Sequence, residues 1–147
     1  MNKAVVIDSN VFAKIFHKEA DSEQAEQFLG RCLEKGIKII VPTLFLYEVI
    51  YIALKRNKNP RSVHKHLRLQ SNIEFRELTP ETIEQSLNII EQTGNPKSGF
   101  PSFYDASYHA LAIINNCDFI TADRKHYEKT KELGNIRLLA DIELPSE

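Results

Sequence analysis

Lys3-Ala4-Val5-Val6-Ile7-Asp8-Ser9-Asn10 is the stretch whose reading decides the fold. Four apolar residues in a row, two valines and an isoleucine among them, read as a strand covered on both faces, as in a parallel sheet with helices above and below. Asp8 falls where that strand ends. Ligands of open α/β sheets bind in the crevice at the carboxyl ends of the strands, so a carboxylate there is placed for chemistry. It is equally placed to cap a helix beginning near Val11, as Ser9 or Asn10 would be.

Working outward, the chain alternates strand and helix signals. A short helix is expected over Val11 to His17 and a longer one over Asp21 to Lys35, with Ala25, Phe28, Leu29, Cys32 and Leu33 at helical spacing and Gly36 as a stop. Ile37 to Val41 reads as the second strand, closed by Pro42. Thr43 begins a helix that reaches Lys55 and carries Glu48 about one turn in. Ile73 to Leu78 alternates as a third strand, and Thr79-Pro80-Glu81 opens a helix that ends near Gly94. Asn95 to Pro101 is dense in turn formers. Ser102 and Asp105 form a variant of the capping box ahead of a helix with Ala106, Ala110, Leu111, Ile113 and Ile114 on its apolar side. Asp118 to Thr121 is a fourth strand, Asp123 opens a helix to Leu133, and Ile136 to Leu139 is a fifth strand. Leu144 to Glu147 is expected to be a loose tail. The absence of any tight hairpin signal between strands indicates βαβ units, hence an α/β sandwich with a mainly parallel sheet.

At 147 residues the expectation is one domain spanning 1–147. Hydrophobic residues make up 42% and charged residues 27%, too apolar a mixture for a disordered chain. Met1 leads straight into a strand, and no apolar run approaches membrane-spanning length, so a cytoplasmic protein with no membrane contact is expected. Cys32 and Cys117 lie far apart in apolar segments and read as reduced core residues. A net charge of −1 argues against a protein that holds nucleic acid by bulk electrostatics. Charge is nonetheless uneven. Lys55, Arg56, Lys58, Arg61, Lys65 and Arg68 fall in a segment with no acid between Glu48 and Glu74. That surface is either a solvated face or a set of phosphate contacts.

The acids carry the chemical argument. Asp8 ends the first strand, Asp123 follows the fourth, and Asp105 begins the helix feeding the fourth, while Glu48 reaches the same sheet edge from the helix after the second. Ser9, Asn10 and Thr121 are neutral oxygen donors between them. Each acid has an ordinary reading, as a helix cap or as a solvated surface glutamate. Gathered together, two carboxylates 4 Å apart repel by about 4 kcal/mol at an effective dielectric near 20, so the set calls for a cation. Oxygen-only ligands suit Mg²⁺ or Mn²⁺ rather than zinc. Protonation, or lysines and arginines folded over the cleft, would relieve the repulsion instead.

Val5-Val6-Ile7-Asp8-Ser9-Asn10, Glu48, Tyr104-Asp105-Ala106-Ser107-Tyr108-His109-Ala110 and Phe119-Ile120-Thr121-Ala122-Asp123 together resemble the acidic motifs of PIN-domain ribonucleases, with order and spacing most similar to the toxins of VapBC-type toxin–antitoxin pairs. The resemblance runs from Lys3 to about Leu139. It implies a PIN-like three-layer α/β sandwich, a mainly parallel five-stranded sheet with helices on both faces. It further implies a metal-dependent endoribonuclease in which Asp8, Glu48, Asp105 and Asp123 are the catalytic set, holding Mg²⁺ or Mn²⁺, with Ser9, Asn10 and Thr121 in support. An RNA substrate, a cognate antitoxin and a homodimer are the implied partners. Phosphodiester hydrolysis fits that set, because a cation activates the attacking water and stabilises the leaving oxygen. His109, one turn beyond Asp105, reads as a packed helix residue. Two other readings stand beside this one. A receiver-like phosphoacceptor domain would need paired acids after the first strand and a lysine after a late one; here Asp8 is followed by Ser9 and Asn10, and no lysine is clearly placed. A non-catalytic PIN-like module binding RNA or protein would have no evident need for four clustered carboxylates.

Overall fold

The structure, a computed structural model, describes residues 3–142. The tail expected at 144–147 lies outside the described residues. Among those described, the order is β1 (Ala4–Ile7), α1 (Ser9–Ala13), α2 (Ser22–Glu34), β2 (Lys38–Pro42), α3 (Leu44–Lys55), α4 (Pro60–Arg68), β3 (Ile73–Arg76), α5 (Pro80–Thr93), α6 (Phe103–Ile114), β4 (Asp118–Thr121), α7 (Arg124–Thr130) and β5 (Ile136–Leu138). Single 3₁₀ turns follow α7 and β5.

The strands pair in the order β3-β2-β1-β4-β5, and every pairing is parallel. Right-handed crossovers then place α1 to α4, which carry the chain toward β3, on one face, and α5 to α7 on the other. This is the three-layer α/β arrangement expected. Strand order reverses between β1 and β4. In a sheet of this type, that point is where the two halves part and a crevice opens.

The core forms on both faces of the central strands. Val6, Ile7, Val41, Phe45, Val49 and Phe119 are essentially inaccessible. Tyr108 stacks on Phe119 with centroids 5.6 Å apart, and Phe12 meets Phe45 edge-on at 5.8 Å. Both cysteines are buried and free, and His109 is buried with Nε2 at 2.8 Å from the Gly134 carbonyl. No helix among the described residues is long and apolar enough to cross a membrane.

Local departures from the sequence expectations have local causes. The first helix starts at Ser9, not Val11, because Asp8 itself accepts the capping bond from Val11 N at 2.9 Å. It ends at Ala13, not His17, where Lys14 turns to pair with Glu19 and with Asp21 at 3.0 Å, and the chain continues as turns. α7 tightens to 3₁₀ geometry after Thr130, short of Leu133. β3 stops at Arg76 and β5 at Leu138, as edge strands with one neighbour each.

Candidate active site

Asp8 leaves β1 at the point where strand order reverses, and its side chain is 6% exposed. One carboxylate oxygen accepts from Val11 N, and the other accepts from the Thr121 hydroxyl at the end of β4. Thr121 Oγ1 in turn accepts from Asp123 N at 3.0 Å. A single threonine thus ties the two central strand ends together. Asp123 is exposed and caps α7 by accepting from His126 N at 3.1 Å.

Glu48 approaches from α3. Its Oε1 accepts from Tyr108 OH at 2.5 Å and from Ser9 Oγ at 3.4 Å, which links α3, α6 and α1. Asp105 sits in the first turn of α6, where its backbone N donates to the capping Ser102 hydroxyl at 3.0 Å. The capping and site readings therefore do not exclude one another. Asp8 and Asp123 cap helices by using one oxygen and keep a second for other partners.

Electrostatics join the four acids. Burial pushes Asp8 up to about 6, opposed by hydrogen bonds from Thr121, Val11 and Ala122 and increased by the charge of Asp105. Burial also raises Glu48, with Tyr108 and Ser9 pulling it down and Asp105 pushing it up. Burial raises Asp105 as well, reinforced by the charge of Asp123 and opposed by Ser102. Asp105 is the common member, felt by Asp8 and Glu48 and itself feeling Asp123. Among the described residues none of these carboxylates forms an ion pair with lysine or arginine.

Lysines or arginines folded over the cleft therefore do not pair with these carboxylates among the described residues. Among the described residues no three acidic, histidine or cysteine side chains stand together as a group that could hold a metal ion as placed. Asp8 is tethered to Thr121 and Glu48 to Tyr108, so each is held by its own hydrogen bonds. The donor set is all oxygen, half-buried and uncompensated, which fits a hard divalent cation.

Of the expected supporting residues, Ser9 and Thr121 bond directly to site carboxylates. Asn10 is exposed and instead lines a groove between α1 and α3 with Lys14, Tyr51 and Lys55. Tyr108 was not expected in the site. Its place one turn after Asp105, with its hydroxyl on the buried side of a helix rich in alanine where Tyr104 is exposed, is what marks it. Beside the acids, Pro42, Leu44, Tyr47, Leu78, Phe103 and Tyr104 line an open apolar pocket. Tyr47 is 74% exposed and Tyr104 59%.

The family model "PIN domain" matches residues 5–132. Similar solved structures include VapC20 of Mycobacterium tuberculosis, a sarcin-ricin loop cleaving toxin, at 15% identity, covering 80% of this chain and 87% of that chain with a TM-score of 0.62. A chain of a toxin–antitoxin complex from Klebsiella pneumoniae is 16% identical over 94% of this chain and 99% of that one, with a TM-score of 0.67. A chain of VapBC2 from Rickettsia felis, bound to a DNA fragment from its promoter, is 18% identical over 92% and 96%, with a TM-score of 0.65. At such identities the likeness is one of fold. No curated protein matches the sequence at a significant level.

Proposed function

The chain belongs to the PIN domain family, and we propose that it is a metal-dependent endoribonuclease acting as the toxin of a toxin–antitoxin pair. The observation that supports this reading is the electrostatic coupling of Asp105 to Asp8, Glu48 and Asp123 beside the sheet's reversal point, with no lysine or arginine ion-paired to any of the four among the described residues. These four residues would hold Mg²⁺ or Mn²⁺. Bound there, the cation activates the attacking water and stabilises charge developing on the phosphoryl group.

The chain's own residues have definable tasks. Thr121 fixes one oxygen of Asp8 and orients the backbone of Asp123, so both strand ends keep their spacing. Tyr108 and Ser9 fix Glu48 as an anionic acceptor against the burial that favours its protonation. The apolar pocket beside the acids gives a protein partner, the antitoxin or a second copy, an anchoring surface next to the site. The toxin–antitoxin setting of the similar structures from Klebsiella pneumoniae and Rickettsia felis supports an antitoxin partner. An RNA substrate places the protein in the cytoplasm.

The test is cleavage of a mixed single-stranded RNA pool by purified protein with Mn²⁺, beside EDTA and Asp105→Asn samples. The expected result is cutting with Mn²⁺ that is lost in both others and leaves 5′-phosphate ends. Cutting that survives EDTA and the substitution would remove the metal and the site from this reading. Absence of cutting by folded protein together with retained RNA or partner binding would favour a non-catalytic module.

A further inference from the structure

Glu48 is only the first of several polar residues on one face of α3. Tyr51 and Lys55 follow it at i+3 and i+7 and so share its side of the helix. At 1.5 Å per residue, Lys55 lies about 10 Å along the axis from Glu48. Tyr51 is 62% exposed, and both Lys55 and Arg56 are exposed. The groove between α1 and α3 connects the two ends of this face. It is lined by Asn10, next to the Ser9 that bonds Glu48, by Tyr51, Lys55 and Arg56, and by Lys14 and Glu19, which pair with each other.

Beyond the groove the positive charge continues. Six of the nineteen lysines and arginines fall within Lys55 to Arg68, where no acid occurs, in a chain of net charge −1. None of those six makes an ion pair among the described residues. α4 buries Val63 and Leu67 and turns Arg61, Lys65 and Arg68 to solvent, where an open pocket is lined by Arg61, His64, Lys65, Arg68 and Leu69. Like charges left unpaired on one hairpin repel, and a polyanion relieves that repulsion.

We propose that the Glu48 face of α3 and the Lys55 to Arg68 segment form a track for the single-stranded RNA substrate. A base beside the acidic site stacks on Tyr51, and the flanking phosphates meet Lys55, Arg56 and then the α4 stripe. Alternation of an exposed ring with cations is the pattern that holds single strands without reading their sequence. An acidic protein is less well matched. Tyr51 and Leu54 of α3 are exposed, but on α4 and its cap Leu69 is the one strongly exposed apolar side chain. Protein interfaces centre on apolar and aromatic anchors and are depleted in lysine, so it is the lysine- and arginine-rich stripe that favours RNA. The inference rests on the RNA-cleavage reading and adds to it where the substrate lies.

The experiment measures binding rather than cutting. Full-length Asp105→Asn protein in EDTA is titrated against fluorescein-labelled single-stranded RNA of mixed sequence, by anisotropy, over a range of KCl. Lys55→Gln/Arg56→Gln and Arg61→Gln/Arg68→Gln are added to that background, with Lys35→Gln as a control at the far end of α2. Thermal unfolding confirms that each variant is folded. The log–log salt slope should fall by about 0.7 for each phosphate contact removed and be unchanged in the control. Tyr51→Ala should weaken binding about tenfold at unchanged slope, with Tyr51→Phe restoring it. Both double variants binding with the parent's affinity and slope would overturn the track. So would a labelled polyglutamate that binds as tightly as RNA and is lost in the same variants, which would give the surface to an acidic protein. Salt-dependent binding lost in the variants, in a protein that cuts nothing with Mn²⁺, would sustain the track and sink the cleavage reading. Cutting with an unchanged KM by the same double substitutions made in the parent, with Asp105 intact, would do the reverse.

Discussion

At the scale of single residues, Asp8 concentrates the conflict between folding and chemistry. Burial pushes its carboxyl from 3.8 up to about 6, so the folded protein keeps the proton to a higher pH than the unfolded chain does. The sign follows from which state binds the proton. The unfolded chain loses it near 3.8 and the folded chain near 6, so the contribution of Asp8 to stability is fully present below about 4, falls as pH rises through 6, and is level above that. Asp8→Asn removes the ionising group at nearly constant shape. At pH 7 without metal the variant should therefore be more stable than the parent by on the order of 2–3 kcal/mol, read from urea unfolding. At pH 4 the difference should shrink toward zero. A variant less stable than the parent at pH 7 would mean that the Thr121 and Val11 bonds outweigh the burial cost.

At the scale of elements, the ends of helices matter more than their middles. Three helices at the site are started by an oxygen side chain, Asp8 for α1, Ser102 for α6 and Asp123 for α7, whereas α3, which carries Glu48, begins after Thr43 without a side-chain cap. Their stops include asparagines in the left-handed region, with Asn57 at φ 59° after α3 and Asn116 at φ 52° after α6. Gly94 at the end of α5 has a different task. Its φ is −102°, open to any residue, yet an added Cβ would lie 2.9 Å from the Cα of Phe100. The Asn95–Gly99 bridge folds the loop back at that point, and Asn95 Oδ1 accepts from the backbone N of Lys97 and Ser98. Gly94→Ala should therefore cost about 1–3 kcal/mol, because backbone rather than a mobile side-chain tip must give way. Chemical denaturation reads this directly, and a cost within 0.5 kcal/mol of zero, the ordinary surface range, would show that the loop shifts freely.

At the scale of the whole molecule, the fold supplies the meeting place. Parallel strands put every carboxyl end on one edge, and reversal of strand order between β1 and β4 opens that edge where Asp8 and Thr121 emerge. Helices from both faces then add their acids, Glu48 from α3 and Asp105 from α6. A divalent cation binding there would bind the folded state alone and couple to global stability. At pH 7.5, millimolar Mn²⁺ should raise the melting temperature of the parent by a few degrees, a shift of about 1 kcal/mol or more for a chain of this size. Asp8→Asn should lose most of that rise. An equal rise in both would place the cation elsewhere.

Much of this was legible in the residues themselves. The apolar run before Asp8 determined a doubly covered strand, because both faces of a central parallel strand must be buried. The alternation of strand and helix signals determined a parallel sheet, because βαβ crossovers admit little else. Spacing put Asp8, Asp105 and Asp123 at element ends and Glu48 one turn into a helix, and the acid-free run from Lys55 to Arg68 declared itself in composition. Only the tertiary structure decided which partner each side chain takes. It joined Thr121 to Asp8 across adjacent strands and Tyr108 to Glu48 across sixty positions of sequence, and it turned Asn10 away into the α1–α3 groove. It also decided that Gly94 is a contact point rather than a left-handed helix stop. The physical reason is one of range. Periodicity, capping and turn chemistry act over a few residues and leave their mark locally, whereas packing, burial and Coulomb coupling act across space between segments that local signals do not relate.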